Sequence, residues 1–358
     1  MTSIDAHRSA ADCTIIIPVH DRQHFVPRLL DYLSDFPGEV HVHDSSEVPL
    51  PPCYYRPFKY VHVPGKFIHD KMRDAVAAVT TPYVVDCPDD DFILKNAIRD
   101  AIAILEANPE IAAVRGRTVR MSGIRGRIFP RQEWVRQAKM VPFSGQSLAR
   151  QLVSLMRTSL AVAHAVHRRD ALLRSYDTLV THRYLKPVAF TDWIVAYVTV
   201  CTGGARFLAR PMSIRDETRM INERGTFPQE LEVEVPFTDL ARRLREQGDP
   251  LAPMMAQALK RADIDTLKAV NQRILIDGYM PPLMDYEPRW LAARVPVALA
   301  PEHQREVGEV LAAVARHRSL PDALLGMWLN LPGVQTLIAL QQRVAWKLKR
   351  IRSKLGLA

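Results

Sequence analysis

Hydrophobic and polar positions along the chain alternate between a strand-like and a helix-like period. "TIIIPV" (14–19) is a continuous apolar run of strand length, closed near Pro18, and predicts a buried strand. "HFVPRLLDYLSDF" then repeats in steps of three and four, placing Phe25, Leu29, Leu30 and Leu33 on one helical face. "EVHVHDSS" predicts a second strand that breaks into a polar turn at Asp44, and "YVHVPG" (60–65) a third. A helix is expected over 68–79, then the strand "PYVVDC". "FILKNAIRDAIAILEAN" predicts an amphipathic helix with Ile98, Ile102 and Leu105 in step, closed by Asn108 and Pro109, and "IAAVRGRTVRM" another strand. Strands alternating with helices predict an α/β fold, Rossmann-like, with a mainly parallel sheet flanked by helices.

Further on, "SLAVAHAVHRRDALLRSY" passes from alternation into a helix start, and "FTDWIVAYVTVCTGG" predicts a helix ending at Gly203 and Gly204. The polar segment "RPMSIRDETRMINERG" (210–225) reads as a loop or linker. From 237 onward nearly every segment is helical in pattern, punctuated by prolines. The expected organisation is a flexible N-terminus (1–12), an α/β domain (13–217), a linker or lid (218–236) and a helical C-terminal region (237–358). In the last helix Leu337, Leu340, Val344, Leu348, Ile351 and Leu355 share one face, while Arg343, Lys347, Lys349, Arg350, Arg352 and Lys354 crowd the rest. Two readings stay open for it: a helix lying on an anionic membrane surface, or one packed on the core with a solvated basic face.

Composition narrows the picture modestly. With 358 residues, almost half of them hydrophobic, the chain has material for a sizeable core. A formal charge of +9 favours acidic partners such as phosphates, nucleotides, nucleic acid or anionic lipid without choosing among them. Cys13, Cys53, Cys87 and Cys201 form no CxxC, which argues against a disulfide framework or a thiolate zinc site and suits a reducing cytoplasm. The "TIIIPV" run is shorter than a signal-peptide core of roughly 7 to 15 residues, and no stretch approaches the roughly 18 apolar residues of a spanning helix.

The chemistry concentrates in "VVDCPDDDFI" (84–93), where Asp89, Asp90 and Asp91 follow an apolar strand. One carboxylate there suffices to cap the next helix. Three adjacent ones repel each other, which points either to an elaborate cap or to neutralisation by a divalent cation. In open α/β sheets ligands bind outside the carboxyl ends of strands, where this triplet is expected. A magnesium or manganese ion held by one or two carboxylates completes its shell with water and substrate phosphates.

Taken in order, "CTIIIPVHDRQHFVPRLLDYL", "VHVHDSSE", "PYVVDCPDDDFILKNAIRDAI" and "TDW" resemble the successive landmarks of glycosyltransferase family 2, the inverting nucleotide-sugar transferases of GT-A fold. The resemblance spans about 13–217. It implies a base and ribose pocket lined by the strand end from Pro18 through His20 to Asp21, and Asp44 as acceptor for a uracil-type base, hence a UDP-sugar donor. The family's two acidic residues followed by Gly-Ser are here His43, Asp44, Ser45 and Ser46. Asp89, Asp90 and Asp91 stand at the family's DxD element, contacting ribose and holding Mn2+ or Mg2+, with the register within the triplet open. Lys71 and Arg73 face either the diphosphate or solvent. His164 and His167 lie near the acceptor or are simply packed. Asp192 matches the general base that deprotonates the acceptor hydroxyl of a glycan or glycolipid.

No QxxRW-like element is present, which implies a non-processive transferase. "SIRDETRMINERG" is a lid, with Arg215 or Arg219 near phosphate, or a plain linker. The expected enzyme is cytoplasmic, with the terminal helix a candidate contact to the inner face of the plasma membrane. Two rivals exist: a sugar-nucleotide nucleotidyltransferase, disfavoured because "PVHDRQHF" lacks glycine, and a non-enzymatic basic adaptor on membrane or nucleic acid. Nucleic acid is not an expected partner, since Trp346 is the lone aromatic within the basic cluster.

Overall fold

Strand β1 (Cys13–Val19) is apolar except at Thr14 because both its faces are covered: all its side chains except Pro18 are buried. It pairs in parallel with β2 (Glu39–Asp44) on one edge and with β4 (Tyr83–Asp86) on the other, while β2 pairs in parallel with β3 (Lys59–His62). The computed structural model describes residues 10–54, 57–124, 127–132, 162, 164–181, 191–216 and 301–317, with short helical stretches at 252–253, 256–257, 264–265 and 268.

Helix α1 (Val26–Tyr32) follows a 3-10 turn (Gln23–Phe25) and carries proline in its first turn, where a missing N–H breaks no helical bond. Helix α2 (Ile68–Ala77) crosses between β3 and β4. Helix α3 (Lys95–Ala107) buries Ala97, Ile98, Ala101, Ile102 and Leu105, the three-and-four spacing expected of a core-facing stripe. The remaining elements are β5 (Asp91–Ile93), β6 (Ala113–Ile124), β7 (Arg127–Gln132), β8 (Val166–Arg168), α4 (Arg169–Thr181), α5 (Thr191–Thr202), β9 (Ala205–Asp216) and α6 (Pro301–Arg316).

Among the described residues nine strands form one sheet in the order β3-β2-β1-β4-β8-β6-β9-β5, with β7 paired to β6 beside this path. The β3-β2-β1-β4 side is parallel, whereas β8 runs antiparallel to both β4 and β6, and β5 antiparallel to β9. The expected α/β, Rossmann-like class therefore forms, but the sheet is mixed rather than mainly parallel, because an antiparallel extension continues it beyond β4.

Two local expectations are corrected. Phe92 and Ile93, expected to open a helix, form β5, and α3 begins only at Lys95 after an extended Leu94. Pairing with β9 decides this: Asp91 lies opposite Arg215, Phe92 opposite Ile214 and Ile93 opposite Ser213. The same ladder overturns the loop expected from 210, because 210–216 belongs to β9, with Met212, Ser213 and Ile214 buried.

The chain divides into two compact units. The first comprises Met1–Arg120, Gln132–Asp216 and Ala298–His317; the second comprises Met121–Arg131, Glu217–Val297 and Arg318–Ala358. Helix α6 belongs to the first unit. Its Arg316 donates to Asp31 on α1 at 2.8 Å, and its buried Glu306 accepts the Asn96 backbone N–H at 2.9 Å. Glu306 thus caps α3, whose own N-cap residue, Leu94, offers no side-chain acceptor. Capping of that helix by the acidic triplet does not occur, since β5 intervenes.

Cys13, Cys87 and Cys201 are buried free thiols and Cys53 is exposed. Among the described residues no helix is long and apolar enough to cross a membrane. The basic terminal helix, Arg219 and the remainder of the expected lid lie outside the described residues.

Candidate functional site

From β1 the chain moves outward to β2 and β3, then returns to the other edge of β1 as β4. The crevice between β1 and β4 is therefore a topological switch point, the place where open α/β sheets bind ligands outside their carboxyl strand ends. Three polar segments end there: 20–22 after β1, 44–46 at the end of β2, and 86–91 between β4 and β5.

The first two segments are tied together. Asp21 adopts φ 54°, a left-handed conformation uncommon outside glycine but tolerated by aspartate, and donates its backbone N–H to Ser46 Oγ at 2.8 Å. His20 Nδ1 lies 3.2 Å from the Ser45 carbonyl oxygen. Pro18 is the half-exposed member of β1, opposite His43 in register. Asp44 is fully buried. Its Oδ1 accepts the Ser46 backbone N–H at 2.8 Å, and its Oδ2 accepts Tyr60 Oη–H at 2.8 Å and the Gln23 amide at 2.5 Å. Burial alone would raise its carboxyl, but the bonds from Ser46, Gln23 and Tyr60 outweigh burial and hold it below the ordinary range.

Lys71 does not lie on a solvated face. It is buried beneath the same strand ends, donating to the Val19 carbonyl at 2.6 Å and to Ser45 Oγ at 2.8 Å. Burial pulls its ammonium down to about 8, against the attraction of Asp44, Asp89 and Asp86. Arg73 instead lies on the solvated face of α2, paired with Asp177 and Asp74 at 3.1 Å each.

The acidic segment is a tight turn in which Asp91 N–H donates to the Pro88 carbonyl at 3.1 Å. Its carboxylates diverge. Arg22 reaches from the β1 loop to Asp89, 3.3 Å away, and to Asp90, while its guanidinium lies 4.9 Å from the Phe25 ring centre. Asp91 turns the other way: His164 Nε2 is 2.9 Å from its Oδ2, and the Asp216 backbone N–H donates to its Oδ1 at 3.3 Å. Beneath the turn, Arg28 pairs with Asp216, donates to the Asp90 carbonyl at 2.9 Å, and sits between the Phe25 and Phe92 rings at 4.7 and 5.2 Å. Just before it, Asp86 accepts a hydrogen bond from Tyr176 at 2.9 Å.

Burial pushes the Asp89 carboxyl well above the ordinary range, partly offset by Arg22. Asp90 is raised by burial and by its neighbour Asp91. Asp91 moves down despite burial, because His164 and then Arg215 favour its charged form. The expected histidines therefore separate. His164, at φ 64°, stands against Asp91. His167 is buried within β8, its Nε2 3.2 Å from the Val162 carbonyl, and burial lowers it to about 4.

The donor set at 89–91 consists of carboxylate oxygens, two of them disfavoured as charges by their surroundings, and the buried His164 Nδ1 beside them has no hydrogen-bond partner among the described residues. Hard oxygen donors of this kind fit Mg2+ or Mn2+. They do not form a ready cage: among the described residues no three His, Cys, Asp or Glu side chains are grouped to hold a metal ion. Asp192 falls in the first turn of α5, with its side chain outside the described residues. Arg22, Arg28, Gln23 and Tyr60 were not anticipated from sequence; charge balance calls for cations beside buried carboxylates but does not say which arginines, and gives no signal for the neutral donors Gln23 and Tyr60.

No protein-family model matches the chain, and no curated protein matches it. Among solved structures, S. aureus TarS 1-349 in complex with UDP-GlcNAc is similar at 14% identity, over 96% of this chain and 92% of that one, with a TM-score of 0.49. The same protein in complex with UDP is similar at 16% identity, over 96% and 91%, with a TM-score of 0.45. The mannosyltransferase PcManGT from Pyrobaculum calidifontis, in complex with GDP-Man and Mn2+, is similar at 17% identity, over 97% and 88%, with a TM-score of 0.41. All three likenesses are distant.

Proposed function

We propose that the chain is an inverting, metal-dependent, non-processive glycosyltransferase that moves a sugar from a nucleotide diphosphate-sugar, UDP-linked, to an acceptor hydroxyl of a glycan or glycolipid. The observation that carries this reading is the convergence of three strand-end segments, 20–22, 44–46 and 86–91, on one switch-point crevice, joined by Arg22 and Lys71. A nucleoside diphosphate needs a shaped base pocket beside a cationic or metal-bearing diphosphate site, and in this reading 20–22 and 44–46 form the first and 86–91 the second.

In this reading Asp44 fixes the base pocket, with Ser46, Tyr60 and Gln23 setting the orientation of its carboxylate. Lys71 joins the ends of β1 and β2 from below and adds positive potential near the diphosphate. Asp89 and Asp90, whose carboxylates meet at Arg22 while Asp91 turns to His164, are the residues that would hold Mn2+ or Mg2+, which would supply electrostatic stabilisation of the leaving diphosphate. Arg28 and Asp216 keep the acidic turn in place from beneath. Asp192 receives the proton of the attacking hydroxyl; one carboxylate base on the acceptor side, rather than two opposed carboxyl groups, gives displacement with inversion. The basic terminal helix supplies the contact to an anionic membrane bearing the acceptor.

Incubation with manganese and a panel of UDP-sugars, followed by mass spectrometry, should reveal slow donor hydrolysis. With a competent acceptor, Asp192→Asn should lower transfer by about 10²- to 10⁴-fold, the usual contribution of a general base, while nucleotide-induced thermal stabilisation persists. Full activity of Asp192→Asn would remove the base assignment.

A further inference from the structure

Arg22 occupies one oxygen of each carboxylate that a divalent cation would need. The guanidinium pairs with the Asp89 and Asp90 carboxylates, the donors that the proposed function assigns to the metal. Two cations at hydrogen-bond distance from one pair of oxygens repel each other strongly where water is scarce. The guanidinium on Asp89 Oδ1 and Asp90 Oδ2 therefore opposes a metal on the same two carboxylates, and its departure favours one.

The two arginines at the turn differ in their freedom to do so. Arg28 is locked: its side chain is 2% exposed, bonded to Asp216 and the Asp90 carbonyl, and held between two aromatic rings. Arg22 is 16% exposed, lies 4.9 Å from the Phe25 ring centre, and stands in the loop after β1, at the N-cap of a single 3-10 turn and outside any strand ladder. The loop that carries it also carries His20 and Asp21, on the nucleotide side of the crevice, and a planar guanidinium matches phosphate oxygens in two-pronged geometry.

We propose that Arg22 is an exchangeable counter-ion of the donor site: it neutralises Asp89 and Asp90 in the empty enzyme and transfers its guanidinium to the donor's diphosphate when a divalent cation ligates those carboxylates. The inference rests on the donor-site reading above. It makes cation and nucleotide binding mutually dependent, because the cation releases the arginine and the diphosphate receives it.

The test is Mn2+ and UDP binding by titration calorimetry to wild type, Arg22→Gln and Arg22→Lys at pH 8, with thermal melts to verify folding. Without nucleotide, Arg22→Gln should bind Mn2+ at least about tenfold more tightly than wild type, since a competing unit charge is gone. With Mn2+ saturating, it should bind UDP about tenfold more weakly, since a diphosphate ligand is gone. Arg22→Lys, which keeps the charge but not the fork, should fall between. Mn2+ affinity that is unchanged or weakened in Arg22→Gln overturns the exchange, even where UDP binding is intact. Absence of Mn2+ and UDP binding in all three proteins, each folded, overturns the donor-site reading itself.

Discussion

Lys71 and Arg73 stand two positions apart on α2 and have opposite fates: one is sealed under the strand ends, the other pairs with Asp177 in solvent. A helix turns about 100° per residue, so positions i and i+2 face different sides, and the sheet covers only one. Residues next to the crevice also hold buried histidines without charge. His43, on β2, has no partner at Nε2 among the described residues, and burial reinforced by His41, Lys59, Lys71 and Lys66 lowers it to about 4. An unfolded chain binds that proton near 6.5, so between about 6.5 and 4 the unfolded state holds more protons and stability falls as pH falls. His43→Val should remove on the order of 1 to 3 kcal/mol of this acid sensitivity, read as a flatter dependence of urea midpoint on pH across that window. An unaltered slope would exclude His43 as a source.

At the scale of elements, α6 matters more than its place in the sequence suggests, because it supplies the cap that α3 lacks. Glu306 is buried and its carboxyl is raised, chiefly by burial, so its charge is costly at neutral pH while its Oε1 still accepts the Asn96 N–H. Glu306→Gln, which keeps an acceptor oxygen, should leave thermal stability at pH 7 unchanged or raised. Glu306→Ala, which leaves the Asn96 N–H without its acceptor, should cost about 1 to 2 kcal/mol. Equal losses in both variants would contradict the capping role. The elements legible in the sequence were those set by local pattern: β1, β2, β4 and α3 follow from apolar runs and periodicity. Phe92 and Ile93 misled because three apolar residues fit either period, and only the β9 edge, more than a hundred residues away, makes them a strand. The β9 segment itself looked like a loop because its outer positions are charged, while Met212 and Ile214 face the core. Likewise Asp44 and the acidic triplet were readable at strand ends, whereas Arg22 and Arg28 were not, since an arginine in a polar turn or an amphipathic helix carries no mark of its partner.

At the scale of the whole molecule, a parallel half-sheet brings three strand ends to one crevice, an antiparallel extension anchors the acidic turn through β9, and α6 returns to brace α1 and α3. Net charge of +9 coexists with a local excess of carboxylates at 86–91, so the acidic site is specific rather than a consequence of composition. The central claim is that this crevice takes a nucleoside diphosphate together with a divalent cation. The most direct measurement is calorimetric titration of UDP into the full chain with saturating Mn2+ and with EDTA, alongside a folded Asp89→Asn, Asp90→Asn double variant. Expected is UDP binding in Mn2+ that weakens at least about tenfold in EDTA and in the double variant, as loss of a charge-neutralising metal site requires. UDP binding that is equally tight under all three conditions, or absent from the wild type in Mn2+, would contradict it.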